Sequence, residues 1–71
     1  MTSQDIAVIR FTDVDSQEEA VVLVRVVGAQ IGLCLSREHN GDIEVFLAEQ
    51  DCRALIAALQ DALAVVTNDH L

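Results

Sequence analysis

Between Ala20 and Leu35 the chain reads AVVLVRVVGAQIGLCL, and no other stretch restricts the fold as much. Branching at Cβ stiffens a side chain and suits it to a pleated, half-buried surface, so these runs of valine favour strands. In the middle stands Gly28-Ala29, a two-residue connection with glycine first, the pattern of a type II′ hairpin turn. Such a turn sets the register: Val27 opposes Gln30, Val26 opposes Ile31 and Val24 opposes Leu33. Opposed residues share a face, so Val22, Val24 and Val26 join Ile31, Leu33 and Leu35. The window is sixteen residues long and carries Arg25, Gly28 and Gln30. A membrane helix needs about 20 apolar residues, so a hairpin is the better reading.

Two further strands flank this hairpin. Ile6 to Thr12, IAVIRFT, precedes it across a polar, acidic loop, Asp13 to Glu19, DVDSQEE. DIEVFL follows it across a turn centred on Asn40-Gly41. From about Ala48 to Val66 the apolar period changes from two to 3.6. Cys52, Leu55, Ile56, Leu59, Leu63 and Val66 then form one continuous helical stripe. Glu49 and Asp51 suit the helix N-terminus, Glu49 and Arg53 are spaced for a helical ion pair, and Ala48 is a poor N-cap. Asn68 is a reasonable stop. Consecutive strands with short connections pair antiparallel. The expected class is α+β: a single domain over residues 1–71, a four-stranded antiparallel meander (β-β-β-β-α) with one C-terminal helix packed on one face.

The HNGD turn allows two registers. A two-residue turn at Asn40-Gly41 would set Glu44 and Asp42 among the aliphatics. A three-residue loop, His39 to Gly41, sets Leu35 opposite Val45 and Leu33 opposite Leu47, and so puts Ile43, Val45 and Leu47 with the other aliphatics. A one-residue slip flips a whole strand, so the apolar pattern favours the second. Face A then carries Ala20, Val22, Val24, Val26, Ile31, Leu33, Leu35, Ile43, Val45 and Leu47, joined by Ala7, Ile9 and Phe11. The helix stripe is expected to cover much of it.

Face B would carry Ile6, Val8, Val21, Leu23, Val27, Cys34 and Phe46, mixed with Arg10, Arg25, Thr12, Ser36 and Glu44. One helix cannot cover both faces. A solvated face alternates to polar, and a large apolar patch marks an interaction surface. Ile6, Val8, Val21, Leu23, Val27 and Phe46 are therefore the expected interface, with a second copy as the simplest occupant and another protein as the alternative. In 71 residues, 52% of them hydrophobic, much apolar surface must lie outside or inside an oligomer, because so small a core supplies only about 3–5 kcal/mol.

Charge excludes several roles. The formal net charge is −8, with four arginines and no lysine. Nucleic-acid phosphates and anionic lipid are repelled, and two phenylalanines with no Tyr or Trp give little to stack on bases. The first residues lack the basic start of a signal sequence, which points to a soluble cytoplasmic protein. Cys34 and Cys52, eighteen residues apart, form neither a CxxC nor a common zinc spacing. They read as two small buried side chains.

No site chemistry stands out. His39 and Asp42 are the shoulders of a hairpin loop, two ligands are short of the four a structural zinc wants, and His70 is close to the chain end. Asp13 and Asp15 match the opening of a calcium loop, but Glu18 and Val24 stand where its glycine and closing glutamate belong. No phosphate loop or nucleophile elbow is present. The expectation is no enzyme, no metal and no cofactor. It is a small non-enzymatic protein–protein interaction or regulatory module, homodimeric, with Asp13, Asp15, Glu18 and Glu19 as an acidic partner surface. Two alternatives fit the same features: an acidic nucleic-acid mimic that inhibits a partner by filling its basic groove, and a small-ligand sensor at a subunit interface.

Overall fold

A computed structural model describes residues 3–39 and 41–68. Asn40 and His70 lie outside the described residues. The element order is β1 (Ser3–Thr12), β2 (Glu19–Val27), β3 (Gln30–Arg37), β4 (Asp42–Leu47) and α1 (Glu49–Asn68). The strands form one antiparallel sheet in the order β1-β2-β3-β4. This is the α+β meander expected from the sequence.

The β2–β3 hairpin has the expected register, with Val27 opposite Gln30 and Val24 opposite Leu33. Gly28 takes φ 62° while Ala29 does not enter the positive region, the sign pattern of a II′ turn. In β1, a bulge falls between Asp5, opposite Arg25, and Ala7, opposite Val24, so Ile6 has no cross-strand partner. The pairings build face A in rows. Ile9, Val22, Leu35 and Ile43 make one; Ala7, Val24, Leu33 and Val45 the next; Gln4, Val26, Ile31 and Leu47 the third. Face A therefore has the expected aliphatic members, joined by Gln4.

The β3–β4 register differs from the expected one by two residues. Leu35 opposes Ile43 and Leu33 opposes Val45. The Arg37 N–H donates to the Gly41 carbonyl at 3.3 Å, and Gly41 takes φ 66°. A shift of two leaves every side chain on its face, so the apolar pattern alone could not separate these registers. Side-chain fit on the other face separates them. In the observed register Phe46 lies opposite Gly32, and a Cβ at Gly32 would sit 3.2 Å from the Phe46 Cε1 and 3.1 Å from the Arg25 Cγ. An aromatic ring laid over a strand glycine covers backbone that the glycine itself leaves bare.

The helix begins as expected, with the Cys52 N–H donating to the Ala48 carbonyl at 3.0 Å, and Glu49 accepting from Arg53 Nη2 at 2.6 Å. Its cover of the sheet is much smaller than expected. Among the strands α1 meets only β3 and β4. Cys52 and Leu55 are half-buried, but Leu59 is 61% exposed and Leu63 66%. The one buried hydrophobic side chain among the described residues is Ala20, at 4%. The reason is the junction: a single residue, Ala48, links β4 to α1, too little to carry the helix back over β1 and β2. The chain exposes 5665 Å², against about 4,300 Å² for a folded monomer of this mass. Its radius of gyration is 14.1 Å, against about 11 Å for a compact chain of this length.

Candidate functional site

Two surfaces were candidates from the sequence, and the sheet sorts them. On face B the rows run Arg10, Val21, Ser36, Asp42; then Val8, Leu23, Cys34, Glu44; then Asp5, Arg25, Gly32, Phe46. Val8, Val21 and Leu23 are brought together. Val27 lies toward the Gly28 turn, and Ile6 sits in the β1 bulge. Phe46 is separated from them, because Arg25 lies across Gly32 with its guanidinium carbon 5.9 Å from the centre of the Phe46 ring. Arg25 Nη2 also donates to Glu44 Oε1 at 2.8 Å. A partly exposed pair of this kind contributes about 0.2–1 kcal/mol, with a similar amount from the cation–π contact. The aliphatic part of face B is thus edged by Arg10, Arg25, Asp42 and Glu44.

The sequence reading did not find the cluster of Arg25, Gly32, Glu44 and Phe46. Its signal was Gly32 inside a strand, which marks a close approach by other groups.

The acidic loop is organised by Asp13. One carboxylate oxygen accepts from the Ser16 hydroxyl at 2.7 Å, and the other from the Asp15 N–H at 3.3 Å. The Ser16 and Asp15 hydrogen bonds hold its carboxyl below the usual range, with Arg37 Nη1 adding a weaker pull from 3.6 Å. The loop closes with the Asp13 N–H donating to the Glu18 carbonyl and the Gln17 N–H to the Asp13 carbonyl. Glu18 Oε1 accepts the His39 N–H at 3.0 Å, tying this loop to the β3–β4 loop. Asp13 and Glu18 therefore serve the loop architecture, while Asp15 and Glu19 are exposed.

On face A, a groove of about 500 Å³ opens at the sheet end nearest these loops. Phe11, Ala20, Val22, Leu35 and Ile43 line it, with Asp13, Arg37, Ser36 and Asp42 also on its border. Cys34 and Cys52 are unpaired thiols, half-buried rather than buried. Among the described residues no three His, Cys, Asp or Glu side chains cluster as metal ligands. No helix there is long and apolar enough to cross a membrane.

No protein-family model, curated protein or solved structure matches the chain.

Proposed function

We propose that the chain is a non-enzymatic protein–protein interaction or regulatory module that acts as a homodimer in the cytoplasm. One observation carries this reading: the chain leaves large apolar parts of both its sheet and its helix exposed. Ile9, Ile43 and Val45 on face A, Val8 and Phe46 on face B, and Ile56, Leu59 and Leu63 on α1 are all exposed. Contiguous apolar surface on this scale marks an interaction site. The two unpaired thiols accord with a reducing compartment. In the dimer, the polar-edged face B and the outward Asp15 and Glu19 remain for a further protein partner.

Light scattering over a concentration series tests the reading. The expected result is twice the chain mass at micromolar concentration. A mass equal to one chain throughout the series would overturn it.

A further inference from the structure

Resting on that reading of the chain as self-associating, we infer that the stripe of α1 seats on face A of a second copy, each copy covering the other about a two-fold axis. Four observations point to this occupant. First, the chain holds both halves of the interface and joins them near one edge: the α1 backbone approaches β3 and β4 and stays farther from β1 and β2. With Ala48 alone as the link, the helix has no loop to bring it back over its own sheet, where βα connections commonly run to 2–6 residues.

Second, the helix needs a cover. Between Ala54 and Val66 its only polar side chains are Gln60 and Asp61, and a helix so apolar is stable when packed. The segment from Ile56 to Val66 rises about 15 Å, comparable with the about 14 Å between the outer strands of a four-stranded sheet. The face A groove, floored by Phe11, Val22, Leu35 and Ile43, lies open to receive Leu59 and Leu63.

Third, charge selects these surfaces. Two copies each at −8 repel. The rows of face A and the helix stripe contain no Asp or Glu. Face B carries Asp5, Asp42 and Glu44 beside Arg10 and Arg25, charged groups whose hydration is costly to remove, so it belongs outside. Association through the apolar rows of face A buries the fewest charges, and the interface proposed here differs from the face B interface expected from sequence.

Fourth, the area fits. The exposed 5665 Å² exceeds the monomer expectation by about 1,300 Å². Burying that excess on both copies gives about 2,700 Å², within the range of obligate homodimers. A reciprocal exchange is self-complementary and closes, so it ends at two chains.

A mixed sample of ¹³C-labelled and unlabelled full-length chains, read by isotope-filtered NOE spectroscopy, tests the arrangement. Methyl contacts between chains are expected from Leu59 and Leu63 to Val22, Leu35 and Ile43. A chain of monomer mass overturns both this arrangement and the dimer reading. A dimer whose inter-chain contacts fall on face B, or whose helix–sheet contacts lie within one chain, overturns this arrangement alone. Mutants give an independent reading. Leu63→Asp is expected to weaken association at least about a hundredfold, as for an interface hot spot, and Val8→Asp on face B to leave the mass unchanged. The reverse pattern would overturn the assignment.

Discussion

Gln17 holds φ at 65°, the only non-glycine among the described residues to do so. A side chain in this left-handed region crowds the following carbonyl, at a cost of roughly 1 kcal/mol. The position closes the β1–β2 loop, where the Gln17 N–H reaches the Asp13 carbonyl at 2.8 Å. Gln17→Gly relieves that strain but gives up the Gln17 Nε2 hydrogen bond to the Val14 carbonyl and adds about 0.4–1 kcal/mol of freedom to the unfolded chain, so the urea midpoint is expected to stay nearly unchanged; a large shift in either direction would contradict this balance. Asp13 supplies the pH dependence of the same loop. Its folded carboxyl titrates below the ordinary value, chiefly because the Ser16 hydroxyl bonds the charged form. Its contribution is therefore fully present above the unfolded value of about 3.9, and disappears as pH falls through the lower folded value. Asp13→Asn should flatten the acid limb of a stability–pH curve and leave other limbs in place. An unchanged acid limb would mean that other carboxylates govern it.

Elements show where a sequence pattern is decisive and where it is blind. Alternation of Val22, Val24 and Val26 with Val21, Leu23 and Arg25 separates the two faces, and the sheet keeps that division throughout. Helix onset was legible from the period change and from Glu49 and Asp51. The β3–β4 register was not, because a two-residue shift preserves faces, and the deciding fit of Phe46 and Arg25 over Gly32 involves three strands at once. Helix placement was also hidden: a stripe shows that α1 must be covered, without showing by which chain. The short β4–α1 link was readable in retrospect, since Leu47 ends the alternation and Ala48 alone precedes the helix. Ala48 donates no side-chain cap, so Ala48→Asp should add about 1 kcal/mol to helix stability, seen as a higher thermal midpoint; no gain would place the cap elsewhere. A paired substitution separates the faces. Ile43 on face A and Val8 on face B are comparably exposed within one chain, 62% and 52%. Were the chain complete alone, serine at either site would have a similar small effect. With face A covered by a second copy, Ile43→Ser should cost at least about 1 kcal/mol more than Val8→Ser in urea unfolding; equal costs would count against that cover.

At the scale of the whole molecule the question is what completes the core. Principal dimensions of 46 × 30 × 15 Å describe a thin slab, and among the described residues only Ala20 and Gly32 are buried, with most of β2 and half of β3 half-buried. So little complete burial leaves a small margin over the conformational entropy of ordering the chain. In the proposed dimer, folding and association are one event, and stability depends on chain concentration. The most direct measurement is urea unfolding, followed by far-ultraviolet circular dichroism, at chain concentrations spanning about a hundredfold. Coupled folding and dimerisation predicts a midpoint that climbs across that range, by about 1 M urea for a protein of this size. A cooperative transition with the same midpoint at every concentration would show that the single chain folds by itself, and would contradict the account.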